Sequence, residues 1–193
     1  MMKTLLTRVV LLFSSSVLAE DISDFEIEGM SIGDSLLDYF SESRIKNALN
    51  YDDQTPSMKF RIIEIYLESS ESDLYSTFQL FYKPEDKYFI LFGIIGTVIF
   101  KNSINSCYKK QNEVIEELSS MFRKATLEGP LDKKHSRDKS LKSTYKIYRF
   151  TLLSGESVDV ACYDFSKKMQ YPDNLKIGLY SKEVKNWIDN GYN

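Results

Sequence analysis

The stretch KYFILFGIIGTVIFK, Lys87 to Lys101, restricts the fold more than any other part of the chain. Only 13 residues separate the two lysines, well short of the ~20 that a membrane-spanning helix needs. Gly93 and Gly96 interrupt it. The spacing and the β-branched content predict a strand buried on both faces, with a bend or bulge near the glycines. A strand of that kind belongs in the middle of a sheet.

MKFRIIEIYLE (Met58 to Glu68) and LYSTFQLFY (Leu74 to Tyr82) precede this strand, separated by the acidic turn SSESD. STYKIYRFTLL, ESVDVACYDF and NLKIGLY come later, the first two joined by a Ser154-Gly155 hairpin turn. Short turns join antiparallel neighbours. Between the two sets of strands, SINSCYKKQNEVIEELSSMFRKAT repeats Ile104, Cys107, Gln111, Val114, Ile115, Leu118, Met121, Phe122 and Ala125 at helical spacing. Asn102 or Ser103 supplies its cap and Gly129-Pro130 its stop. SKEVKNWIDN closes the chain as a helix with Val184, Trp187 and Ile188 on one face. Near the start, Asp34 is expected to cap a helix carrying Leu36, Leu37 and Phe40, and Ser41 a second carrying Ile45, Ala48 and Leu49. The expected fold is therefore α+β: two layers, an antiparallel sheet of about six strands, and helices packed on one face, in the order α(α)-βββ-α-βββ-α.

The first residues are not expected to take part. MMKTLLTR is basic, VVLLF is apolar, and SSSVLA ends in small residues, the pattern of a signal peptide spanning 1–19. Residues 20–193 then form a single domain, with 20–28 an acidic, loose arm. Loss of Lys3 and Arg8 leaves 23 basic residues against 28 acidic ones. That balance argues against general nucleic-acid binding, where clustered positive charge supplies most of the affinity.

In an exported chain with only two cysteines, a Cys107–Cys162 disulfide is the natural pairing, because both thiols fall on faces that turn toward the helix–sheet seam. Two separate buried thiols are the alternative.

Several chemistries lack their residues. A single histidine, His135, excludes a histidine metal cluster and an H-E-x-x-H site. There is no G-x-S-x-G for a nucleophile elbow. No metal or cofactor is expected. Asp52–Asp53 reads as turn and Glu116–Glu117 as a solvated helix face.

Two features remain as candidate sites. The charged loop LDKKHSRDKSLK, Leu131 to Lys142, offers Lys133, Lys134, His135, Arg137 and Lys139 to an anion such as phosphate, sulfate or carboxylate. The strands carry an excess of rings, Tyr75, Phe81, Tyr145, Tyr148, Tyr163 and Phe165, some of which can form a ligand or partner surface. Ordinary solvated loop and ordinary core packing are the plain readings of each.

The segments IEGMSIGDSLLDYFSESRI, INSCYKKQNEVIEELSSMF, GPLDKKHSRDKS and KSTY resemble a family of small exported bacterial proteins without an assigned function. That family would place a glycine at the position of Leu141. More weakly, EGMSIGDSLLDYF is similar to the Gly-Met-Ser lead-in of small outer-membrane-assembly lipoproteins and of β-lactamase-inhibitor-like domains. The resemblance implies helices against an antiparallel sheet and action by protein binding. Gly29 and Gly33 would shape the chain ahead of the first helix.

Together these readings favour a periplasmic or secreted, non-enzymatic protein that binds an envelope protein or a small ligand. The alternative is a small carboxylate-based hydrolase or transferase whose anionic substrate is held by 131–142. Neither reading sets an oligomeric state.

Overall fold

The computed structural model describes residues 22, 25–51, 59–101 and 103–192. The expected signal peptide, the turn at Asp52–Asp53 and the alternative cap Asn102 lie outside the described residues. Among the described residues, eight strands form one antiparallel sheet: β1 (Leu49–Asn50), β2 (Arg61–Tyr66), β3 (Thr77–Tyr82), β4 (Gly93–Phe100), β5 (Thr126–Lys134), β6 (Thr144–Thr151), β7 (Ser157–Asp164) and β8 (Asp173–Tyr180). Their order across the sheet is β1-β2-β3-β4-β8-β7-β6-β5. The α-helices are α1 (Glu42–Lys46), α2 (Ile104–Met121) and α3 (Lys182–Asp189).

The apolar stretch is central, with β4 between β3 and β8. Its glycines do not bend it, because the register on both sides runs without a break. They make room for rings instead. A Cβ on Gly93 would sit 3.2 Å from the Phe81 ring, and one on Gly96 would overlap the ring of Tyr75. Residues 88–92 leave the sheet to meet the N-terminal segment: Leu91 donates to the Asp34 carbonyl and accepts from the Gly33 amide.

The expected six strands become eight because both sheet edges lack a strand signal. β1 has only two residues, and it begins where a second helical turn was expected. That helix ends at Lys46, so Leu49 is half exposed rather than on an inner face. β5 is exposed along its whole length and contains Pro130, with a register shift between Glu128 and Leu131. Prolines, charges and irregular register are what protected edge strands carry, and they read as loop in a sequence. α2 accordingly stops at Met121, with Ser103 as its cap.

The helices do not share one face. α2 covers one side, where Cys107, Val114 and Leu118 pack with Val158, Val160, Leu175, Ile177 and Leu179. Each such buried side chain contributes about 1.5–3 kcal/mol relative to exposure. α3 lies on the opposite side, where Val184 and Trp187 pack with Phe60, Phe81 and Tyr180. The alternation of β8 enforces this split, since Leu175, Ile177 and Leu179 point one way and Tyr180 the other.

The expected disulfide is present. Cys107 and Cys162 are joined across 55 residues, with Cα atoms 6.0 Å apart. One turn along α2, fully buried Gln111 donates to the carbonyls of Lys146 (2.8 Å) and Val160 (2.9 Å), a second tie between helix and sheet.

Where it is described, the arm expected to be loose is packed. Ile22, Phe25 and Ile27 are each 1% exposed, and Phe25 meets Phe122 with ring centroids 5.9 Å apart. Gly29 and Gly33 have φ of 78° and 101°, backbone that glycine adopts without strain. The first helical turn, Leu36–Asp38, is capped by Ser35 rather than Asp34. The Asp34 carboxylate instead accepts from the Ser31 amide and the Tyr39 hydroxyl. Leu36 and Phe40 are buried as expected, whereas Leu37 is exposed.

Candidate functional site

α3 covers only part of the second sheet face. Beyond it, alternate residues of β7, β6, β8 and β4 present Tyr163, Tyr145, Asn174, Lys176, Thr97 and Ile99 on the same side, as the pairings Tyr145↔Tyr163↔Asn174 and Thr97↔Lys176↔Ala161 require. The two features singled out in the sequence meet there.

The rings form a row. Tyr145 stacks on Tyr163 at 5.0 Å between centroids, and Tyr163 on Phe165 at 5.7 Å. Tyr171 closes the row edge-on against Phe165 at 5.4 Å. His135 reaches over from the turn after β5, its ring 5.2 Å from Phe165 and 6.0 Å from Tyr163. Exposed Tyr66 and Tyr171 and partly exposed Ile99 stand around this region.

A buried carboxylate holds the turn in place. Asp138 is 2% exposed and accepts from the amides and hydroxyls of Ser140 and Ser143 and from the hydroxyl of Ser166. Hydrogen bonds from Ser140 and then Ser143 hold its carboxyl far below the usual carboxylate range. The turn is thereby tied to the segment after β7, which also brings Lys167 and Lys168 to this end of the sheet. Asp138 has no oxygen left for acid–base chemistry.

Lys176 lies at the centre. Its ammonium sits 5.5 Å from the centroid of the Tyr163 ring, the geometry of a cation–π contact. Burial lowers its pKa; Glu64 acts against that and Arg137 adds to it. Glu64 attracts the ammonium from a distance while its two oxygens accept from the hydroxyls of Tyr51 and Thr77. Among the described residues, no carboxylate forms an ion pair with Lys176. His135 is likewise pushed down by burial and then by Arg137 and Lys176, with Asp138 opposing. Beside the lysine, Thr97 and Asn174 are each 7% exposed, and Thr97 Oγ1 and Asn174 Oδ1 have no hydrogen-bond partner among the described residues.

The border with α3 is an ion-pair network. Arg149 donates from Nε and Nη2 to the two carboxylate oxygens of Asp159, at 2.6 and 2.7 Å, and from Nη1 to Asp189 on α3 at 3.2 Å. It pins the helix, and among the described residues no helix lies over the neighbouring half of the face.

Not every candidate residue gathers here. His135, Tyr145, Tyr163 and Phe165 do, and Arg137 lies close enough to act on His135 and Lys176. Lys133 pairs with Tyr145 at the exposed edge, Lys134 alternates to the other face, and Lys139 is exposed in the turn. Tyr75 and Phe81 are no surface: at 5% and 3% exposed they fill the cores on either side of β4, because glycines leave space for them. Tyr148 belongs to the α2 face, opposite Val160. Lys176, Asn174 and Thr97 escaped the sequence reading. Their signal was the polar alternation Asn174, Lys176, Gly178 against Leu175, Ile177, Leu179, a charge placed mid-strand on the side away from α2.

A separate groove of about 320 Å³ lies between α1, β1 and β2, lined by Arg44, Leu49, Glu64 and Tyr66 among others. Its charged groups are committed, Arg44 to Glu71 and the Tyr66 carbonyl, and Glu64 as above.

Comparison with family models, curated proteins and solved structures finds no match to the chain. Among the described residues, no helix is long and apolar enough to cross a membrane, and no cluster of His, Cys, Asp and Glu could hold a metal ion.

Proposed function

We propose that this is an exported binding protein, not an enzyme, whose ligand rests on the uncovered half of the second sheet face. The carrying observation is the convergence of His135, from the basic turn, with Tyr163, Phe165 and Lys176, from two strands remote in sequence. Rings there supply flat apolar contact, and Thr97 and Asn174 supply buried polar atoms in need of partners. A few convergent polar groups among aromatic side chains are the usual make-up of a small-molecule site. A small ligand therefore suits this face better than a broad protein surface. Export is supported by the leader-like residues 1–19 and by the disulfide, a bond that persists in oxidising compartments. The resemblance to small exported bacterial proteins points the same way.

Native mass spectrometry tests the proposal, on protein expressed with its own leader and purified from the periplasm without reductant. The expected species begins at Glu20, lacks two hydrogens relative to the free-thiol chain, and carries a ligand mass that leaves on activation. Tyr163→Ala should lose that mass. A clean ligand-free monomer from the wild type, or a ligand retained equally by the variant, refutes the placement of the site. An uncleaved and reduced chain refutes export.

A further inference from the structure

We infer that the end of the sheet formed by the β5–β6 turn and the β7–β8 segment docks on an anionic lipid surface. This goes beyond the small-ligand reading and does not depend on it. Two loops remote in sequence carry the same pair of features there. Residues 135–143 expose Leu141 (60%) between Lys139 and Lys142, and residues 165–172 expose Tyr171 (61%) after Lys167 and Lys168. The meander β8-β7-β6-β5 puts both loops at one end of the sheet. Hydrogen bonds make them one platform: the Ser166 hydroxyl donates to the Asp138 carboxylate at 2.8 Å, and the Ser166 amide to Ser143 Oγ at 2.9 Å. Leu141 is the sharper of the two exposed side chains. Its amide donates to the Asp138 carbonyl at 2.8 Å, and its φ of 57° is backbone that leucine adopts only with strain. It belongs to neither core. A strained, exposed leucine between two lysines is placed for contact outside the molecule.

Charge selects the occupant. Lys133, Lys134, Lys139, Lys142, Lys167 and Lys168 are all exposed at this end, and among the described residues none of them forms an ion pair. The acids of this half of the sheet are set back from the tips. Asp138 is buried beneath its turn, and Asp132, Asp164 and Asp173 alternate onto the α2 side with Lys146, Cys162 and Leu175. Glu68, Glu71 and Asp73 occupy the β2–β3 turn at the same end, on the far side of β4, so the β5–β8 half makes the approach. Lysines attract anionic headgroups, while a leucine and a tyrosine enter the interface beside them; peripheral membrane binding needs both contributions. A nucleic acid or an acidic polysaccharide would engage the lysines and leave Leu141 without a role.

The test is co-sedimentation of the mature protein with vesicles of phosphatidylcholine alone and of equal parts phosphatidylcholine and phosphatidylglycerol. The mixed vesicles should bind it, the neutral ones should not, and raised salt should weaken the binding. Replacing Lys139 and Lys142 together by Gln should weaken partition by ~tenfold or more. Replacing Lys87 and Lys182, exposed at the opposite end, removes the same charge and should change little. Leu141→Gly keeps every charge and relieves the backbone, so the fold is retained, yet it should weaken partition ~fivefold or more. Absence of binding to the mixed vesicles overturns the inference, as does equal binding to phosphatidylcholine alone. Unchanged partition of the double lysine variant shows that another surface docks, and unchanged partition of Leu141→Gly shows that nothing inserts; either result also overturns it. Tighter binding to heparin or duplex DNA than to the mixed vesicles would assign the surface to a soluble polyanion instead.

Discussion

Reduction of the Cys107–Cys162 bond should destabilise the protein by about 4 kcal/mol. Closing a loop of 55 residues removes roughly 14 cal/mol/K from the unfolded chain, which gives that figure at 25 °C. The native state should change little, because α2 keeps its apolar contacts through Val114, Leu118 and Phe122 and its hydrogen bonds from Gln111. The far-ultraviolet circular dichroism of the reduced protein should therefore match that of the oxidised one. Urea unfolding should show a lower midpoint on reduction and a steeper denaturant dependence, since the uncrosslinked unfolded chain exposes more surface. For a domain of this size the thermal midpoint should fall by roughly 8–16 °C. A loss below about 1 kcal/mol with an unchanged slope would refute the chain-entropy reasoning. It would mean that the unfolded chain is held compact without the bond. Loss of helical signal on reduction would refute the claim that packing and Gln111 hold α2 by themselves.

Three further outcomes are expected. Leu141 is 60% exposed and has φ of 57°, so Leu141→Gly should relieve ~1–2 kcal/mol of left-handed strain against ~0.5–1 kcal/mol of added unfolded-state freedom; a small rise in the urea midpoint checks it, and a fall refutes it. Gly96→Ala should cost about 1–3 kcal/mol, read in the same assay, because the new methyl displaces the buried Tyr75 ring; a neutral result would show that the ring can move freely. The His135 imidazole should titrate below its ordinary 6.5, as burial and the neighbouring Arg137 and Lys176 require. The unfolded chain then binds more protons over that window, so stability should fall as the pH drops from 6.5 toward the folded value. An NMR titration placing the ring at or above 6.5 would contradict the packing described.

Legibility followed burial. The central strand, the main helix, the Ser154-Gly155 hairpin and the closing helix were readable because one face of each is apolar at its own period, and Trp187 and Val184 marked the last of these. The edge strands were not, because β1 and β5 bury almost nothing and are defined by backbone pairing alone. The arm at 20–28 looked loose for a related reason: Ile22, Phe25 and Ile27 are spaced too irregularly to show a period, yet each is buried.

For the candidate site, residue type and rough position were legible but company was not. The basic turn and the ring-bearing strands stood out separately, while Tyr75 and Phe81 looked no different from Tyr145 and Tyr163. What separates them is where α2 and α3 lie. A strand's alternation says that two faces differ, but not which of them a distant helix will cover. By itself, the sequence determined the elements that bury an apolar face and the central place of Gly93–Phe100, and it favoured the cysteine pairing that is present. Only the tertiary structure put the helices on opposite faces and brought His135 and Lys176 to one aromatic row, because such contacts join residues that share no local period.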